Sequence, residues 1–91
     1  MTEKRNGIMD GICKILEGYK GVYVPFGGIS LSESCDYVTV RAMDMKGRNM
    51  PYASQKILKR YPQIRYVHFT GGWQEHIYTR ETLKWLGMYN K

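Results

Sequence analysis

Apolar residues recur at helical spacing over residues 4–19. Ile8, Met9, Ile12, Ile15, Leu16 and Tyr19 share one arc, while Asp10, Lys14 and Glu17 face the other way. Gly18 and Gly21 punctuate the end of this predicted helix. Gly7 and Gly11 weaken its intrinsic propensity, so it must lean on tertiary packing. The period then changes to two. Val22, Val24 and Phe26 alternate with Tyr23 and Pro25, and Pro25 argues for an edge position or an early strand end. Gly27-Gly28 breaks the run, and residues 30–34 read as a loop or a short continuation. A second strand over residues 36–43 puts Val38, Val40 and Ala42 on one face, with Tyr37, Thr39 and Arg41 on the other.

Lys46-Gly47-Arg48-Asn49 has turn chemistry. Pro51 suits the first turn of a helix reaching Tyr61, because its missing amide proton has no partner there anyway. Pro62 blocks further extension. At 100° per residue, Ala53, Ser54, Ile57, Leu58 and Tyr61 line one side, and Tyr52, Lys56, Lys59 and Arg60 the opposite one. A strand over residues 63–70, Gly71-Gly72 and a run over residues 73–78 read as a hairpin with a two-glycine loop. Thr79 is placed to cap a short last helix with Glu81 in its first turn, and Gly87 to end it. The predicted order is α-β-β-α-β-β-α over a single domain, residues 1–91. Such an order gives an α+β fold, an antiparallel sheet of about four strands with helices packed mainly on one face.

This order is similar to one repeat of the LAGLIDADG homing endonucleases, in which an acidic residue and a glycine end the first helix and lead into a strand. Glu17-Gly18 stand ahead of the strand at Val22, but Gly11 lies six residues before Glu17 instead of five, and Tyr19-Lys20-Gly21 departs from the pattern. The resemblance is one of topology and implies no membership.

Charge changes the picture more than composition does. Residues 41–65 hold seven of the fourteen basic side chains (Arg41, Lys46, Arg48, Lys56, Lys59, Arg60 and Arg65) against one acid, Asp44. The first forty residues carry four basic and five acidic groups, so the formal charge of +6 originates in the middle. A cationic segment of this kind attracts polyanions and acidic partners. With Tyr52 among the cations, it makes a nucleic-acid surface in which cations follow phosphates and rings stack on bases. The plainer reading is a solvated helix face. No helix-turn-helix, zinc finger, RNP motif or GXXG loop accompanies the cations, so contact with the phosphate backbone would lead. The favoured expectation requires these cations to converge on one exposed surface.

Other constellations are weaker. His68 and Glu75 fall on one face of the hairpin, where a carboxylate can orient the imidazole as acid–base chemistry needs, or simply brace the sheet. His76 takes the opposite face, which counts against a two-histidine centre. Gly27-Gly28 lacks the Walker lysine and the dinucleotide fingerprint, so a plain turn is the expectation. Trp73, beside the hairpin tip, is a candidate anchor for a protein partner, whereas Trp85 is expected to seal the last helix onto the sheet with Leu83 and Leu86.

At 91 residues, a deep enclosed substrate cavity is not expected. Cys13 and Cys35 match no metal spacing, no cofactor motif stands out, and no run is long and apolar enough for a membrane span or a signal segment. A cytoplasmic protein with reduced thiols follows. The sequence thus points to a small non-enzymatic nucleic-acid-binding protein. The alternative is a stand-alone inhibitor or adaptor for an acidic protein, of a size common among viral and mobile-element accessory proteins. Homodimerisation through a strand edge belongs with that alternative.

Overall fold

The structure, a computed structural model, describes residues 2–19, 28–43, 49–71 and 73–87. The element order is α1 (Thr2–Glu17), β1 (Ile29–Leu31), β2 (Tyr37–Arg41), α2 (Asn49–Arg60), β3 (Tyr66–Gly71), β4 (Gln74–Thr79) and α3 (Arg80–Trp85). The order and the α+β class are those the periodicity predicts. The strand expected over residues 22–26 and the turn at residues 46–48 lie outside the described residues; β1 falls instead where a loop or short continuation is expected.

The four strands form one sheet in the order β1-β2-β3-β4. Its outer pairs, β1–β2 and β3–β4, are antiparallel, but the central pair β2–β3 is parallel, so the sheet is mixed and not antiparallel throughout. The reason lies in the connection. Parallel neighbours need a crossover of a dozen or more residues, and α2 supplies it by carrying the chain back to the end where β2 began. Backbone bonds from Arg65 N–H to the Asp36 carbonyl (2.6 Å) and from Ala42 N–H to the Thr70 carbonyl (2.8 Å) continue this pairing beyond both strand ends.

The helices share one side of the sheet with a single core. Ile8, Ile12 and Leu16 of α1 meet Ala53, Ile57 and Leu58 of α2, over Val38, Val40, Val67 and Phe69 from the central strands. Leu83 of α3 joins the same cluster. Burial of this apolar surface is what holds two glycine-bearing turns of α1 in place. Gly11 has a further role: a Cβ built there would come within 1.7 Å of Tyr61 Oη, so any larger residue would have to displace that ring. Ser54, buried in α2, is satisfied by donating to the Met50 carbonyl at 2.8 Å.

Two arginines outside the cationic segment serve the fold. Arg5 of α1 reaches the carbonyls of Leu31 and Ser32, tying α1 to the end of β1. Arg80 donates to the carbonyls of Leu58 and Ile64 (2.7 Å each) and Tyr61 (3.2 Å). Leu58 is among the last residues of α2, whose carbonyls have no partner inside the helix, so the guanidinium satisfies them from α3. Thr79 caps α3 as its sequence predicts, accepting from Thr82 N–H at 3.1 Å, and Gly87 ends it at φ 73°.

Candidate nucleic-acid interface

The amphipathic split of α2 decides where its cations go. With Ala53, Ser54, Ile57 and Leu58 buried, Tyr52, Lys56, Lys59 and Arg60 are left on the outer side. No residue of α2 is acidic. Tyr52 keeps 42% of its surface exposed. Lys56 Nζ lies 5.5 Å from the centre of the Tyr19 ring, and the Arg60 guanidinium 5.6 Å from that of Tyr61, distances at which a cation is attracted to the ring face. The rings orient the cations without neutralising them. Ile15 of α1 joins Lys56, Lys59 and Arg60 in lining a shallow groove between the two helices.

Not all of the predicted cations share this surface. In β2, Val38 and Val40 face the helices, so alternation sends exposed Arg41 to the opposite side of the sheet. Arg65, also exposed, stands just before β3 beside Tyr66 in a depression lined by Thr79, Arg80 and Glu81. Lys46 and Arg48 lie outside the described residues. The convergence expected of all these cations is therefore not met: Tyr52, Lys56, Lys59 and Arg60 alone gather on α2, while Arg41 and Arg65 belong to the sheet.

On that other side, sequence reading missed a second surface. Tyr37 pairs with Tyr66 in the parallel register, and their rings stack with centres 5.0 Å apart and planes within 3°. Thr39 and His68 form the next row, Arg41 and Thr70 the one after. Across β4 the same rows continue through Thr79, Ile77 and Glu75. Among the described residues, no helix covers this face. The aromatic pair depends on strands brought together by a 24-residue connection, and only Tyr37's position opposite Val38 was visible locally.

At the hairpin, the loop is one residue later than the glycines suggest. Gly71 pairs with Gln74, which places His68 opposite Ile77 and Thr70 opposite Glu75. His68 and Glu75 still meet, now diagonally: Nε2 donates to Glu75 Oε1 at 2.6 Å. His76 pairs with Phe69, on the other face as expected. Glu75 is largely exposed, so this hydrogen-bonded pair lies at the surface of the hairpin; no described His, Cys, Asp or Glu residues group as metal ligands. Trp73 is 93% exposed at the tip. Trp85, expected to seal α3, is instead 87% exposed, and Leu86 is also outside; of the three, only Leu83 is buried. Trp85 lies two residues, about 200° of turn, from Leu83, which directs it away from the core.

The loop between β1 and β2 is braced by its own side chains. Asp36 accepts from the hydroxyls of Ser32 and Ser34 at 2.8 Å each, and these bonds hold its carboxyl below the usual aspartate range. Of the glycine-rich segment, Gly28 accepts from Arg41 N–H at 2.7 Å and so extends the sheet. Cys13 and Cys35 are free thiols, and burial, then the charges of Asp10 and Glu17, pushes the Cys13 thiol up. No described helix is long and apolar enough to cross a membrane. The chain matches no family model, no curated protein and no solved structure.

Proposed function

We propose that this chain is a small, non-enzymatic nucleic-acid-binding protein whose α2 face, Tyr52 with Lys56, Lys59 and Arg60, engages the phosphate backbone. The observation that carries this reading is an acid-free helix on which Lys56 and Arg60 rest over tyrosine rings, with no carboxylate among the described residues ion-paired to either. Lys56 and Arg60, with no such ion pair among the described residues, are available to displace the counterions of a polyanion. Arg41, Lys46, Arg48 and Arg65 add to the attracting field even where they do not touch the same segment.

The test is retardation of a labelled oligonucleotide at low salt. The wild-type chain should shift it, and Lys56→Glu with Arg60→Glu should abolish the shift while leaving the circular dichroism spectrum unchanged. A full shift by that double variant would overturn the reading.

A second reading has its own support. Trp73, 93% exposed at the hairpin tip, is of the type enriched at binding hot spots, which favours an inhibitor or adaptor docking on an acidic protein or a second copy of the chain. Capture of a partner that survives nuclease treatment and is lost in Trp73→Ala would establish it.

A further inference from the structure

We infer that the uncovered face of the sheet is a base-stacking platform for single-stranded nucleic acid, built on Tyr37 and Tyr66. The inference rests on the proposed nucleic-acid function and names the substrate class that function serves.

The parallel register fixes both rings. Tyr37 and Tyr66 are directly paired residues on adjacent central strands, so their 5.0 Å stack is set by the backbone ladder. Tyr37 retains 36% of its surface, and its strand neighbour on the far side is the small Ser32, whose N–H bonds the Tyr37 carbonyl at 3.0 Å. One flat face of a two-ring column is thus left beside a residue too small to cover it. A base would extend the column. Stacking of this kind tolerates any sequence, because every base has a π-face.

Two arginines stand at the two ends of the rings' strands. The exposed guanidinium of Arg41 stands four residues along β2 from Tyr37, about 13 Å at strand rise. That distance accommodates several nucleotides at a stacked rise of about 3.4 Å. Exposed Arg65 lies at the opposite end, next to Tyr66. The nearest carboxylates lie at the margins: Glu75 accepts from His68, Asp36 accepts from Ser32 and Ser34, and Glu81 shares the depression with Arg65. Thr39, between the rings and Arg41, and Thr70, paired with Arg41, offer hydroxyls to base edges.

Duplex does not fit this face. Four strands span about 14 Å between the outer strand axes, whereas the major groove of B-DNA, about 12 Å wide, admits a helix or a two-stranded ribbon. Its bases are also stacked on one another, leaving none to cover Tyr37. A single strand has neither restriction.

The platform and the α2 cations occupy opposite sides of the sheet, so substitutions on the two can be read independently. The experiment is fluorescence anisotropy with a labelled pyrimidine single strand of about 12 nucleotides, a length within single-strand site sizes, and with a duplex of equal length. Wild type should prefer the single strand. Tyr37→Leu and Tyr66→Leu should each weaken single-strand binding about tenfold and leave duplex binding unchanged, while Tyr37→Phe, which keeps the ring, binds as wild type. Arg41→Gln, a rim substitution that leaves the core untouched, should also weaken the single strand selectively, and it answers the question if a leucine variant does not fold. Lys56→Glu with Arg60→Glu should weaken both ligands. If the tyrosine and Arg41 variants bind the single strand like wild type while the α2 variant fails, the platform is overturned and the α2 reading stands. If wild type binds neither ligand, both fall.

Discussion

The two faces of the central strands are made by alternate residues of the same backbone, yet they answer to different demands. On one, Val38, Val40, Val67 and Phe69 are fully buried beneath the helices. On the other, one residue away in each case, Tyr37, Thr39, Arg41, Tyr66 and His68 meet solvent or each other. A small domain needs only one covered face to be stable, and the opposite face is then free to carry rings and cations. The comparison teaches that stability and recognition are separable here at single-residue resolution. Changes on the covered face should cost folding free energy with little direct effect on binding, and changes on the uncovered face the reverse.

The largest effect that could break this division is Phe69→Ala. It should destabilise the fold by about 3–5 kcal/mol, because a buried ring leaves a cavity that its neighbours only partly close. Urea denaturation measures the loss; a cost below 1 kcal/mol would mean the covered face is not the core. Arg80→Ala follows. Removing a charged donor from the carbonyls of Leu58, Ile64 and Tyr61 should cost about 1.5–3 kcal/mol, and Arg80→Lys should recover only part of it, since one ammonium cannot span the same fork. Denaturation midpoints of the two variants decide the point.

Smaller changes sharpen the comparison. Asp36→Asn tests the rim of the uncovered face through its pH dependence. The folded carboxyl titrates below its unfolded value, so its contribution is present above that unfolded value, about pH 3.9, and is lost as pH falls through the folded one. Wild type and variant should therefore differ in stability at neutral pH and converge in strong acid, as followed by thermal unfolding across a pH series. Smallest is Glu75→Gln. An exposed pair with His68 contributes less than about 1 kcal/mol, so the unfolding midpoint should barely move. A large shift would show that the hairpin depends on the pair.

Local periodicity made much of this fold legible. The arc of Ile8, Ile12 and Leu16, the division of α2 and the Thr79 cap all follow from residues within a few positions of one another. What depended on pairing between distant segments was hidden. A period of two gives each strand its faces and says nothing of direction, so the parallel β2–β3 pair was missed, and with it the neighbouring of Tyr37 and Tyr66. Two glycines suggested the hairpin loop, but Gly71 remains in the ladder and Trp73 takes its place in the turn. Hydrophobicity suggests a buried Trp85, but its angle of about 200° from Leu83 turns it to solvent. The carbonyl-binding role of Arg80 had no local signal, since its partners are 16 to 22 residues away.

Cation-led binding is tested most directly by the salt dependence of single-strand affinity for wild type and for Lys56→Ala with Arg60→Ala. On a plot of log affinity against log salt, wild type should fall linearly, and the double variant should show a slope shallower by about 1.4, or 0.7 per lost phosphate contact. Equal slopes, or no measurable affinity at the lowest salt, would contradict it.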